Sequence, residues 1–180
     1  MRAEASRYSP LYLRPALSII LIFIALFSVP AFADIGESAR AIDGDTLDFS
    51  GQRVRLHGID APERNQKCWV GGSEWLCGQE STRALQNLID GTVIKCRKID
   101  SDRYGRIVGK CHSKNLDIGQ TMVTAGMALA YRKYSSDYVS AEIAAKAAGV
   151  GMWRSDFIKP WHWRRGKRLT ERLSRENKNC

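Results

Sequence analysis

The chain has 180 residues, 44% of them hydrophobic and 26% charged, which is enough for one compact domain with appendages and too few for two ordinary domains. Its formal charge of +9 creates a surface field that attracts polyanions, so nucleic acid or an anionic membrane surface is the partner class it suggests. No internal repeat or low-complexity stretch is present, which excludes repeat architectures.

The N-terminal residues 1–33 read as an export signal. Arg2, Arg7 and Arg14 form a positive leader, residues 16–29 are an almost uninterrupted apolar run, and Ala31, Phe32 and Ala33 have the small-x-small form of a signal peptidase site. Cleavage after Ala33 would leave Asp34 at the new terminus. The apolar run is shorter than the ~20 residues of a spanning helix, and Pro30 helps to end it, so removal is favoured over retention as an anchor. The mature chain is expected to be exported, periplasmic or secreted, with no stable membrane span. Cys68, Cys77, Cys96, Cys111 and Cys180 would then lie in an oxidising compartment, where thiols pair. No CxxC or HxxxH spacing occurs and His57, His112 and His162 are scattered, which disfavours a structural zinc site. Cys180 is the odd thiol.

Residues 38–59 carry short apolar stretches at Ala41-Ile42, Leu47-Asp48-Phe49 and Val54-Arg55-Leu56. Asp43-Gly44-Asp45 and Ser50-Gly51 punctuate them, which predicts a three-stranded meander. Residues 80–89 place Ala84, Leu85, Leu88 and Ile89 on one helical face, and Asp90-Gly91 supplies a stop. Residues 92–96 and 106–111 are β-rich and flank Asp102-Arg103-Tyr104-Gly105, which has hairpin-turn chemistry. Two more helices are expected at 118–125, ended by Gly126, and at 137–148, ended by Gly149. Three strands, a helix, two strands and two helices fit an α+β fold, mainly β, with a five-stranded barrel of the oligonucleotide/oligosaccharide-binding (OB) type and about three helices. Propensity alone leaves other α+β folds open.

After Trp153 the chain turns basic and aromatic, with Trp161, Trp163, Arg164, Arg165, Lys167 and Arg168 ahead of a polar tail. Aromatics among cations can stack bases and neutralise phosphates. The alternative is that Trp153 closes a small core and the rest is a solvated terminus.

The chemistry is concentrated between Asp43 and Glu63. Asp43 and Asp45 flank Gly44 in a tight turn, and Asp60 follows the next two strand segments, so a barrel would bring these carboxylates together. Hard cations such as Ca²⁺ are held by carboxylate and carbonyl oxygens, and Asp45 and Asp60 make part of such a cage. Arg55 sits between Val54 and Leu56, Glu63 follows Asp60 across Pro62, and Arg106 comes just after Gly105. Phosphodiester hydrolysis needs an activated water, a metal that absorbs charge, and cations on the phosphoryl oxygens. Taken singly, each of these residues reads as a turn, a surface charge or a salt-bridge partner. Only the combination points to chemistry.

The segments AIDGDTLDF, VRLHGIDAPE and DRYGR, followed by AYRKY and GMW, resemble the staphylococcal nuclease family in order and spacing over roughly residues 38–153. The resemblance implies a thermonuclease-like domain at 34–158, between the signal at 1–33 and a basic aromatic tail at 159–180. It implies a Ca²⁺-dependent endonuclease acting on DNA and/or RNA and leaving 3′-phosphate ends. Carried over by position, Asp45, Asp60 and the carbonyl of Ala61 hold the metal. Arg55, Glu63 and Arg106 are catalytic, Asp43 supports the metal ligands, and Tyr104 and Tyr131 line the nucleotide pocket. Ala61 stands where the family often has Thr. The loop after Glu63 departs further, holding Cys68, Trp69, Trp75 and Cys77 where the family has a flexible lysine-rich loop. Two alternatives are a catalytically inactive binding or envelope-associated module of the same fold, and an adhesion protein. No protein partner is expected.

A hairpin centred between Arg103 and Tyr104 places Cys96 opposite Cys111, at the ~4.5 to 5.5 Å cross-strand separation that a disulfide can close. Cys68 and Cys77 are then left to pair locally, clamping the loop beside the site. Each bridge is expected to contribute ~2 to 4 kcal/mol at most.

Overall fold

The computed structural model describes residues 35–169. The expected leader with its cleavage site, and Cys180, lie outside the described residues. The chain opens with a short edge strand, β1 (Ile35–Glu37), and then forms the expected meander of β2 (Arg40–Asp43), β3 (Thr46–Phe49) and β4 (Gln52–Leu56). Alternation explains the inner face. Leu47 pairs across from Val54, and these two, with Phe49 and Leu56, are buried while Arg53 and Gln52 face out.

Three very short strands follow: β5 (Ile59–Asp60), then β6 (Cys68–Val70) and β7 (Ser73–Trp75), which form a hairpin inside the cysteine-bearing loop. Helix α1 (Cys77–Ile89) begins at Cys77, earlier than the apolar periodicity indicates. No side chain caps it, so no sequence signature announces the start; the amide of Gly78 donates instead to the Gln66 carbonyl at 3.1 Å.

The long hairpin of β8 (Ile94–Ser101) and β9 (Ile107–Ser113) lies next, and β9 also pairs in parallel with β4, placing Val108 opposite Arg55. A short β10 (Leu116–Asp117) pairs with β9. The strand order β1-β8-β9-β4-β3-β2 gives a curled mixed sheet whose five longest members match the expected barrel. Asp117 caps α2 (Ile118–Thr124) by accepting from the Gln120 amide, and β11 (Leu129–Ala130) then pairs with β5. Helix α3 (Val139–Ala147), a single 3₁₀ turn at Gly151–Arg154 and a short α4 (Pro160–Trp163) complete the described chain. Among the described residues no helix is long and apolar enough to cross a membrane.

Both expected disulfides are present, Cys68–Cys77 and Cys96–Cys111. The hairpin reaches the second by a different route from the one expected. Its pairs nearest the tip, Asp100 with Val108 and Ser101 with Ile107, centre the turn on Tyr104, and a bulge between Lys98 and Asp100 restores Cys96 opposite Cys111.

The main core gathers Leu47, Val54, Leu56, Leu85, Ile89, Ile94 and Met122 between the sheet and the helices. Burying each such side chain contributes ~1.5 to 3 kcal/mol. A second cluster forms around the Cys68–Cys77 bridge, with Leu129 and Met152 at its centre and Trp75, Trp153, Phe157 and Trp161 packed against it. It fastens the C-terminal segment to the loop after Glu63. The backbone seals the same seam, because Trp69 and Asp156 exchange amide-to-carbonyl bonds of 2.9 and 2.8 Å.

Candidate active site

The turn from β2 to β3 positions the first carboxylates. Asp43 Oδ1 accepts from the Asp45 amide at 3.0 Å, and Thr46 Oγ1 donates to Asp45 Oδ1 at 3.1 Å. Gly44 lies against α1, where a Cβ would stand 1.9 Å from Ser81 Oγ and 2.7 Å from the Ala61 side chain. Only glycine lets the acidic turn approach the helix so closely. Gly78 does the same on the other side, since a Cβ there would meet the Glu63 carbonyl oxygen at 1.8 Å.

From β4, Arg55 reaches across to the acids. Its Nη2 donates to Asp45 Oδ2 at 2.9 Å and to Asp60 Oδ1 at 2.6 Å, and the Ala61 amide donates to Asp45 Oδ2 at 3.1 Å. Asp45 and Asp60 are buried, at 3% and 0% exposure. Asp43, Asp45 and Asp60 thus lie together as their spacing suggested, with Arg55 and the Ala61 main chain beside them.

Glu63 is held at the mouth of this cluster by Gln66. Gln66 Oε1 accepts from the Glu63 backbone amide at 3.3 Å, the Gln66 backbone amide donates to the Glu63 carbonyl at 2.7 Å, and Gln66 Nε2 donates to the Ile158 carbonyl at 2.6 Å. Gln66 is fully buried and ties the Glu63 turn to the C-terminal segment. Beyond α4, Arg164 completes the connection. Its Nη2 donates to both oxygens of Asp60 at 2.9 and 2.8 Å, while its Nη1 donates to Glu63 Oε1 at 2.8 Å. Neither residue was singled out for this role from the sequence. Gln66 carries no motif, and Arg164 stood in a run of cations with nothing to distinguish it.

Electrostatics at the cluster are strained. Burial, reinforced by the charge of Asp45, pushes the Asp60 pKa from 3.8 up to about 6 against the pull of Arg164 and Arg55. Burial and then Asp45 raise Asp43 to about 6 as well. Burial opposes the charge on Arg55, yet Asp45 and Asp60 outweigh it and hold its pKa above the ordinary value. The acids therefore crowd more negative charge into a dry site than they can comfortably hold, and positive charge drawn into it relieves them. Among the described residues no three His, Cys, Asp or Glu side chains close on one point. Any cation here would rest on two carboxylates, main-chain oxygen and water.

Arg106 and Tyr104 make contacts of their own at the β8–β9 turn. Arg106 Nε donates to Asp102 Oδ2 at 2.7 Å across the turn of the β8–β9 hairpin, and its guanidinium lies 5.8 Å from the centre of the Tyr104 ring. Tyr104 itself is 69% exposed. Tyr131, immediately after β11, donates its amide to the Gly58 carbonyl, and its ring stacks on Trp161 of α4 with centroids 5.5 Å apart and planes 2° from parallel.

A family model described as "Staphylococcal nuclease homologue" matches residues 53–155. An "Uncharacterized endonuclease" of Escherichia coli is 34% identical over 158 residues, covering 82% of this chain and 97% of the relative. A "Micrococcal nuclease" of Shigella flexneri is 33% identical over 167 residues, covering 81% and 89%. "Succinoglycan biosynthesis protein ExoI" of Rhizobium meliloti (strain 1021) is 36% identical over 121 residues, covering 65% of this chain, and the chain spans 63% of that relative's length. The curled barrel-like sheet and these matches define a nuclease, a hydrolase of nucleic-acid phosphodiesters. The chain belongs to the staphylococcal nuclease homologue family.

Proposed function

We propose that the chain is an exported, Ca²⁺-dependent endonuclease that cuts DNA and/or RNA and leaves 3′-phosphate ends. The observation that carries this reading is the pair of buried carboxylates, Asp45 and Asp60, bridged by Arg55 with Glu63 at their mouth. The donor set suits a hard cation: anionic oxygens on two neighbouring segments, beside the main chain of Ala61 and backed by Asp43. When bound, Ca²⁺ supplies positive charge that offsets the phosphate's own and eases attack by water.

The chain's own groups do the rest. Glu63 takes the proton of a water that attacks phosphorus. The bond to the 5′-oxygen breaks, that oxygen is protonated from solvent, and the phosphate stays on the 3′ side. Arg55 donates to the phosphoryl oxygens as charge builds on them, a task that suits a planar guanidinium fork. Arg106 joins it once substrate draws its guanidinium inward, with Tyr104 and Tyr131 contacting the nucleotide. Export agrees with the two disulfides, which persist outside reducing compartments.

One observation favours a second reading. Arg164 lies across Asp60 and Glu63, as it would in an inactive binding module of this fold that has internalised its counter-charge. Incubating the mature protein with linear DNA separates the two. The nuclease reading expects cleavage with Ca²⁺ and none with chelator, whereas intact DNA in both lanes supports the binding module.

A further inference from the structure

Glu63, the base of the proposed reaction, lies in an irregular turn with no strand or helix of its own to fix it. Both ends of its main chain are bonded to a single residue. Its amide donates to Gln66 Oε1 at 3.3 Å, and its carbonyl accepts from the Gln66 backbone amide at 2.7 Å. The Gln66 carbonyl in turn accepts from the Gly78 amide at 3.1 Å, at the start of α1, and Gln66 Nε2 donates to the Ile158 carbonyl at 2.6 Å. One residue with 0% exposure thus joins the Glu63 turn to α1 and to a segment 92 residues further along the chain.

The chemistry of the carboxamide explains why glutamine stands there. A buried amide costs free energy unless it is partnered, and this one offers an acceptor to an N–H and a donor to a C=O at the same time. A hydrocarbon of the same length would fill the space and join neither. The far end of the bridge is itself anchored. Ile158 follows Phe157, which packs on the cluster around Cys68–Cys77, and Asp156, whose backbone is bonded to Trp69. From the same segment Arg164 Nη1 reaches the Glu63 carboxylate directly, at 2.8 Å. This segment, which follows the family match ending at residue 155, also lines a cleft of about 370 Å³ beside Tyr131 through Trp161 and Arg165. Gln66 does not line that cleft. Its contacts are with the main chain that carries the base, and not with the surface that meets the nucleotide.

We infer that Gln66 is a positioning residue for the reaction: it holds the Glu63 main chain in place beside the acids, and its bond to Ile158 makes the C-terminal segment part of what sets the rate. A general base works only within hydrogen-bond reach of the proton that it takes, ~2.6 to 3.2 Å, and a misplacement of about 1 Å can cost on the order of 10²-fold. A turn without regular structure meets that tolerance only when something outside it holds it still. The inference rests on the nuclease reading and on Glu63 as its base. It adds a residue that acts through Glu63 without touching substrate, and it gives the segment after residue 155 a catalytic purpose.

Two variants and one background test it. Gln66→Met keeps the length of the side chain and removes both of its bonds, while Gln66→Asn keeps an amide that is one methylene too short to join both partners. Steady-state cleavage of a defined oligonucleotide with Ca²⁺, at a temperature where thermal denaturation shows every variant folded, should give a kcat lowered ~10- to 100-fold in Gln66→Met. Gln66→Asn should lose severalfold. KM should stay close to wild type in both, the split that follows when only transition-state stabilisation is lost. In the Glu63→Gln background the base is already gone, so adding Gln66→Met should cost no further rate, because residues that act as a unit are not additive. A purely structural role predicts the same factor in both backgrounds, and that result overturns the inference. So does a wild-type kcat in either folded variant. If Gln66→Met does not fold, Gln66→Asn decides, alone and in the Glu63→Gln background. Should wild type itself leave DNA intact with Ca²⁺, the nuclease reading fails and takes the inference with it; should wild type and the Gln66 variants cut equally well, only the inference fails.

Discussion

Two aspartate–arginine pairs in this molecule are alike in chemistry and opposite in character. At the hairpin turn Asp102 accepts from Arg106 at 2.7 Å, and at the barrel mouth Asp60 accepts from Arg55 at 2.6 Å and from Arg164 at 2.8 and 2.9 Å. Burial opposes the Asp102 charge too, but bonds from the Arg106 side chain and from the Arg106 and Tyr104 amides outweigh it, and its pKa falls below 3.8. Asp60, with more arginine contacts, is pushed up to about 6, because burial and Asp45 work against its charge. Counting arginines therefore misjudges both sites; solvent access and the neighbouring acid decide the sign. A carboxylate held above its ordinary pKa beside a like charge, in a cleft, marks a position that can use a further cation. The hairpin pair is a clasp.

The comparison breaks most sharply in catalysis. Glu63→Gln keeps the shape of the cluster mouth and removes the base, so turnover of a defined oligonucleotide should fall ~10² to 10⁴-fold, and Arg55→Lys ~10² to 10³-fold. Circular dichroism should report a native fold for both. Near wild-type rates in two folded variants would remove these residues from the chemistry.

Arg164→Ala tests the barrel mouth next. Arg55 still faces Asp60, but both Asp60 oxygens lose the Arg164 bonds, so the metal-free protein should lose ~1 to 3 kcal/mol. Added Ca²⁺ should then raise the melting temperature more in the variant than in wild type, since the acids have lost one of their cations. An equal Ca²⁺-induced rise in both proteins would mean that Arg164 does not compete for the carboxylates.

The smallest effect belongs to the hairpin. Asp102→Asn removes one ion pair at a partly exposed turn, where such pairs contribute about 0 to 1 kcal/mol, so thermal denaturation should shift little. A loss as large as that in Arg164→Ala would show that the two pairs do not differ as argued.

Much of this contrast was legible in the sequence, and the illegible part has physical reasons. The meander, the long hairpin, the apolar face of α1 and the glycine stops after α2 and α3 follow from periodicity and turn chemistry, and Asp43, Asp45 and Asp60 converge as their spacing implied, while Arg55 is pointed to by its chemistry alone and Ala61 only by the family resemblance. The two-residue strands β5 and β11 have no periodicity of their own and exist because they pair with each other. Gln66 was invisible because a buried glutamine joining two backbone segments has no local signature. The C-terminal cations offered no means of telling Arg164, which enters the cluster, from Arg165, which lines the neighbouring cleft. That distinction arises only when the second hydrophobic cluster, around Cys68–Cys77 and Met152, fixes where the segment lies.

The most direct test of the account is a calorimetric titration of Ca²⁺ into three metal-free proteins: wild type, Asp60→Asn and Asp102→Asn. Wild type and Asp102→Asn are predicted to bind one ion with similar affinity, while Asp60→Asn, which lacks an anionic ligand at the buried position, loses the binding isotherm. Undiminished Ca²⁺ binding by a folded Asp60→Asn protein would contradict the claim that the buried carboxylates at the barrel mouth seat the cation.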